Sequence, residues 1–264
     1  KSNLTLRHFP QSFEHSTLGG WIATRSGGHF ATLYTHIDDF VESTTMVTPR
    51  GVIESRRLPG SGAGPSPDRM VIGSEGILGV ITEAWMRLQE RPSFRASSPV
   101  LFDDYEDALN ATRLISQSAL FPANCRLLDA NEALFNGAGD GSKHLLILSF
   151  ESADHDMDAW LKRSLEIASE AGGQYELPQE KKEDAHKSGA SGTWRNSFIR
   201  APYYREASVR RGIIQDTFET SITWDKGFEF IETLKERASK AIKEISGKES
   251  TVTCRLTHTY PDGL

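Results

Sequence analysis

The chain has 264 residues, enough for one large domain or two modest ones. With 38% hydrophobic and 25% charged residues it is a globular chain rather than a disordered one. Its net charge of −6 leaves no basic footprint for nucleic acid or an anionic membrane surface, and its longest apolar runs, such as residues 145–148, are too short to span a bilayer.

Residues 1–92 are rich in Gly, Thr, Val and Ile. In "HSTLGGWIATRSGG" a hydroxyl residue precedes a short apolar segment that ends at a glycine pair, which predicts a helix over residues 17–25. "FVESTTMVTPRGVIESRR" reads as two strands joined by a turn at Pro49-Arg50-Gly51, and "LPGSGAGPSP" as a loop. Next comes "GSEGILGVITEA", residues 73–84. Three glycines at spacing three interrupt a run that otherwise reads as a buried strand, and Gly inside a strand packs nothing and loses much backbone freedom. Two explanations stay open at this point. One is a turn leading into a strand. The other is a backbone that must approach a flat or phosphorylated ligand, with successive N–H groups forming an anion-binding nest. The segment is not a G-x-G-x-x-G fingerprint.

From residue 92 onward the texture changes, and a domain boundary is expected near residues 90–96. "DDYEDALNATRLISQ" has helical spacing behind Asp caps. "CRLLDANEALF" reads as a strand running into a helix, and "HLLILSFE" as a buried strand. "DMDAWLKRSLEIASEAGG" reads as a helix ended by Gly172-Gly173, and residues 176–192 as a polar surface segment. "FIETLKERASKAIKEIS" reads as an amphipathic helix with Ile231, Leu234, Ala238 and Ile242 on one face, and "TVTCRLTH" as a final strand.

Chemistry-bearing residues are few. The eight histidines form no His-x-x-x-His pair and no Cys/His cluster, so no metal site is expected. Cys125 and Cys254 make no disulfide framework and read as reduced thiols. His258 in "RLTHTY" reads as a hydrogen-bonded structural group. Arg126 and Arg255 sit in apolar, strand-like settings, where a guanidinium needs a carboxylate or phosphate partner. The partner is either an internal acid or an anionic substrate held bidentately. Arg200, Arg205, Arg210 and Arg211 lie in "RAPYYREASVRR" and read mostly as solvated charges.

The segments "PQSFEHSTLGGWIATRSGG", "MVTPRGVIE" and "MVIGSEGILGVITEAWMRL", in that order, resemble the FAD-binding segments of vanillyl-alcohol-oxidase-type flavoproteins. "DTFETSITWDK" and "TCRLTHTYPDG" are similar to the alkyldihydroxyacetonephosphate synthases (alkylglycerone-phosphate synthases) and their bacterial FAD-linked oxidase relatives. The resemblance spans nearly the whole chain and is weakest around residues 136–192. It implies an α/β (α+β) fold. Residues 1–92 would form the second α/β subdomain of an FAD-binding domain. Residues 93–264 would form most of a cap domain, an antiparallel sheet covered by helices.

The resemblance also implies FAD contacts from three segments. The first is Gln11, Ser12, Phe13, Glu14, His15, Ser16 and Thr17. The second is Thr24, Arg25, Ser26 and Gly27. The third is Glu75, Gly76, Ile77, Leu78, Gly79, Val80 and Ile81. Gln11 stands where the family often has Asp, and His15 where Phe is common. Arg205 aligns with the arginine that anchors substrate in the synthases, and Arg126 with another functionally sensitive arginine near the flavin. The first FAD subdomain is expected before Lys1. The family's catalytic tyrosine and histidine cluster are expected beyond Leu264, so residues 1–264 alone should not turn over.

Three functions follow as expectations. The first is exchange of the acyl chain of an acyl-dihydroxyacetone phosphate for a fatty alcohol, without net redox change at the flavin. The second is FAD-dependent oxidation of a 2-hydroxy acid, and the third a non-catalytic flavin-binding module. The implied partners are a lipid-like or hydroxy-acid small molecule, a membrane surface touched peripherally and a second copy of the chain, with no nucleic acid. The implied location is cytoplasmic, or peroxisomal in a eukaryote.

Overall fold

The computed structural model describes residues 2–30, 34, 36–60, 62, 64–176 and 189–264. They divide into two compact units, Lys1–Pro92 and Ser93–Leu264. The fold mixes helices with sheets whose strands pair antiparallel throughout.

In the first unit, α1 spans Leu18–Ala23 and β2, Val41–Thr48, pairs with β3, Gly51–Glu54, across a Pro49-Arg50 turn. The composition-based loop gives way at Pro67 to the short helix α2, Pro67–Val71, because proline is well placed in a first helical turn. Strand β4, Val80–Met86, lies on the other side of β2, giving the order β3-β2-β4. Strands β1, Leu4–Thr5, and β5, Gln89–Glu90, form a separate two-stranded pair. Ile22 of α1, Ile37 and Ile72 make the small core, with Leu18, Trp21 and Ile81 packed against it.

The second unit is built on a four-stranded sheet in the order β6-β8-β7-β9. Its strands are β6, Phe94–Phe102; β7, Asn124–Leu128; β8, His144–Ser152; and β9, Arg255–Leu256. Both faces are covered, which explains why β8 reads as a continuous apolar run instead of alternating. Leu146, Leu148 and Phe150 enter the larger core, with Leu109 and Ile115 of α3, Tyr105–Ser116, and Leu165 of α5, Asp158–Glu170. Leu145 and Ile147 face the other way, toward Ala133 of α4, Ala130–Phe135, and Trp194 and Phe198 of α6, Gly189–Val209. The polar stretch expected at residues 176–192 lies largely outside the described residues.

Helix α7, Gly227–Ser246, buries Ile231, but its apolar stripe runs outward, and Ile242 is already exposed. The final strand is much shorter than "TVTCRLTH" predicts. Side chains hold its entry in place of a ladder: Asp129 accepts from Cys254 N–H at 2.8 Å and from Lys235 at 3.0 Å. Glu132 accepts from Thr253 at 2.6 Å and from Arg255 at 3.1 Å. Among the described residues no helix is long and apolar enough to cross a membrane.

Candidate functional site

The first unit brings three glycine- and hydroxyl-rich segments onto one short helix. Thr17 caps α1 by accepting from Gly20 N–H at 3.1 Å. Before the cap, Trp21 Nε1 donates to Ser16 Oγ at 2.7 Å, and Ser16 Oγ donates to the carbonyl of Ser12 at 2.7 Å. These bonds tie the turn at residues 11–17 to the helix. At the other end, the orphan carbonyls of α1 are satisfied by the glycine segment. Gly73 N–H donates to Ile22 at 3.0 Å and Glu75 N–H to Ala23 at 2.8 Å. A helix end and a loop are thereby fixed against each other by backbone alone.

The glycines of this loop have different causes. Gly73 and Gly76 have φ of +82° and +85°, the left-handed region that glycine enters without strain. Glu75 lies between them at +49°, and Arg25, at the end of α1, at +51°. Two non-glycine residues in that region at one place mark a locally strained backbone. Gly79 is dictated from inside: a Cβ there would lie 2.3 Å from the carbonyl oxygen of Val47 on β2. The close approach expected of a ligand is, at Gly79, made by the sheet itself. Gly76 is the opposite case, with open space where a side chain would stand. The segment therefore forms an exposed turn ahead of β4, not the interior of a strand, with Ile77 85% and Val80 69% exposed.

Behind this surface lies His8. Its ring is nearly buried between Trp21 and Phe40, and its Nε2 lies 3.1 Å from Ser26 Oγ. A Cβ on Gly28 would sit 2.8 Å from its Nδ1. Burial, with the charge of His36 adding to it, pushes its pKa down to about 4, so the ring is neutral at pH 7. At the end of α1, Asp38 receives both Arg25 at 3.0 Å and Arg69 at 2.7 Å. Both guanidiniums are more than half exposed while the carboxylate is buried.

In the second unit the two singled-out arginines have different surroundings. Arg126 on β7 is 1% exposed. Its guanidinium lies 4.3 Å from the ring centre of Trp194 and 5.3 Å from that of Phe198, and it donates to the carbonyl of Thr257 at 3.3 Å. Arg205 on α6 is 64% exposed and lies 3.5 Å from Asp216. Its neighbour Arg210 pairs with Glu206, and Arg211 donates to the carbonyl of Ala207. Arg255 takes an internal acid, Glu132. His258, the histidine of "RLTHTY", has its Nε2 3.8 Å from Glu219 and a side chain only 13% exposed. The surroundings of Glu219, Asp38 and His8 come from tertiary placement and carry no motif in the sequence. The one signal for Glu219 was its position inside "FETS".

Comparison with known proteins places this geometry. The model of the FAD linked oxidases, C-terminal domain, matches residues 91–264, and that of the FAD binding domain matches residues 1–55. The chain belongs to the FAD-linked oxidases. It is 30% identical over 282 residues to the alkyldihydroxyacetonephosphate synthase of Dictyostelium discoideum, covering 100% of this chain and 46% of that protein. It is 32% identical over 149 residues to the FAD-linked oxidoreductase YgcU of Escherichia coli K12, covering 55% of this chain and 31% of that protein. A solved alkyldihydroxyacetonephosphate synthase superposes with a TM-score of 0.76 at 27% identity, over 99% of this chain and 52% of the other. The chain spans about half the length of the curated synthases it matches.

FAD is the cofactor of this family, and the first unit's surface fits such a group. Ile77 and Val80 offer exposed apolar area for a flat ring. Among the described residues, no acceptor meets the N–H of Gly76 or of Leu78, so both remain available to ring carbonyls or phosphate oxygens.

Proposed function

We propose that this chain is the flavin-contacting and substrate-shaping part of an alkyldihydroxyacetonephosphate synthase, exchanging the acyl group of an acyl-dihydroxyacetone phosphate for a fatty alcohol. The observation that carries this reading is the end-to-end likeness to a solved synthase, with a TM-score of 0.76 over 99% of the chain. Residues 1–92 act as FAD-binding subdomain and residues 93–264 as cap. The segments 11–17, 24–27 and 75–81 hold the cofactor. Bound FAD supplies an electrophilic ring that is regenerated without net redox change. Gly76 and Leu78 N–H orient the ring's polar edge, Ile77 and Val80 cover its face, and water is excluded where they meet it. In the cap, Arg205 and Arg126 bind the substrate's anionic group, Arg205 exchanging its contact with Asp216 for it. A lipid-like substrate brings with it peripheral contact with a membrane surface, as a homodimer in the cytoplasm or, in a eukaryote, the peroxisome.

Oxidation of a 2-hydroxy acid is the second reading, favoured by the match to the FAD-linked oxidoreductase YgcU. The two separate in one experiment on the flavin-loaded full-length protein under anaerobic conditions. The synthase reading expects the visible flavin absorbance to persist with a panel of 2-hydroxy acids and to change on adding acyl-dihydroxyacetone phosphate. Bleaching by a hydroxy acid would overturn it in favour of the oxidase.

A further inference from the structure

The two nitrogens of the nearly buried His8 ring have unlike surroundings. Nε2 lies 3.1 Å from Ser26 Oγ, while Nδ1 is enclosed with no hydrogen-bond partner among the described residues. Gly28 closes over Nδ1. The point that a Cβ would occupy there lies 2.8 Å from Nδ1 and 3.3 Å from the Phe9 backbone nitrogen, which is a donor. Burial holds the ring pKa down at about 4, so at pH 7 the imidazole is neutral and carries one proton. On Nδ1 that proton would be a buried donor with nothing to meet it. On Nε2 it is donated to Ser26 Oγ.

The consequence falls on Ser26. Its backbone is already committed: the N–H donates to the carbonyl of Trp21 at 2.9 Å, and the carbonyl accepts from Ile37 N–H at 3.0 Å. Its hydroxyl meets no group but His8 among the described residues, and the residue is only partly buried. A hydroxyl has one hydrogen to donate and lone pairs that accept. With a lone pair taken by the His8 Nε2–H, the hydrogen is left to point at something else.

We propose that His8 is a positioning residue for the cofactor, its Nε2–H fixing the Ser26 hydroxyl as a donor to an acceptor oxygen of bound FAD. This rests on the reading of residues 24–27 as a cofactor segment, and it adds to that segment a buried residue that acts only through Ser26. A hydroxyl whose rotor is set before binding loses less freedom when the ligand arrives.

The test joins nitrogen NMR to FAD titration, both on the full-length protein. With histidine labelled in its ring nitrogens, the flavin-free protein at pH 7 should show His8, assigned by its loss in His8→Gln, as the Nε2–H tautomer. A proton on Nδ1 would overturn the proposal. Ser26→Ala removes the donor and should weaken FAD binding by about three- to tenfold. His8→Phe keeps a ring between Trp21 and Phe40 but donates nothing, and should weaken it by a similar factor. His8→Gln restores a donor and should stay within about twofold of the unsubstituted protein. Adding His8→Phe to Ser26→Ala should cost nothing more, since the bond it breaks is already gone. A further loss in that double variant would make His8 a packing residue and overturn the proposal. Full affinity in His8→Phe with a loss in Ser26→Ala would also overturn it, while leaving the cofactor segment in place. Full affinity in Ser26→Ala would overturn it together with the assignment of Ser26 to the cofactor.

Discussion

The two units hold their important segments by opposite means. In the first, backbone bonds from Gly73 and Glu75 to the end of α1 support a loop whose outer side chains, Ile77 and Val80, stand in solvent. In the second, packing on both faces of a sheet encloses the singled-out side chain, Arg126. A surface proposed to lie under a large flat cofactor would need rigidity from behind and bare backbone in front. A side chain proposed to recognise one charged group would need a fixed direction, and a dense core supplies it.

Substitutions should expose this contrast. The largest effect is expected in the second unit. Phe150→Ala empties the centre of its core and should cost about 4 kcal/mol in denaturant unfolding. A loss below about 1 kcal/mol would mean that the sheet is not packed on this face as described.

Acid should act on the first unit. His8 has a folded pKa of about 4 against an ordinary 6.5, so the folded state binds the proton less well than the unfolded state. Its contribution is complete above pH 6.5 and is lost as pH falls toward 4, by about 3 kcal/mol in all. Amide exchange at Ile22 and Ile72 should quicken over that window, and His8→Gln should flatten the response. An unchanged slope in that variant would assign the acid sensitivity elsewhere.

Gly79→Ala forces a methyl group onto the Val47 carbonyl and should cost about 2 kcal/mol, read as a lowered thermal midpoint. Normal stability would show that β2 and the loop are further apart. The smallest effect on stability is expected at the front of the same loop. Ile77→Ser should change unfolding by less than about 0.5 kcal/mol while weakening FAD binding several-fold. Undiminished FAD affinity would separate the loop from the cofactor.

Much of the fold was legible in the sequence because its elements carry their own punctuation. Thr17 and Asp104 cap the helices they precede, and Gly172-Gly173 closes α5. The strand β8 shows as an uninterrupted apolar run because both of its faces are buried. What stayed hidden depends on contacts between distant residues. The short β9 follows from Asp129 and Glu132, more than a hundred positions away from the residues they hold. Gly79 reads from sequence as a ligand-facing glycine, and only the position of Val47 shows that β2 requires it. Glu219 and His258 are ordinary polar residues in the sequence, and only the fold sets them 3.8 Å apart.

Hydrogen–deuterium exchange of the full-length protein, with and without FAD, tests most directly that the exposed loop carries the cofactor. Peptides covering residues 75–81 should gain protection on FAD binding, together with those covering residues 11–17 and 24–27. FAD binding with unchanged exchange across all three segments, and protection confined to other parts of the protein, would contradict it.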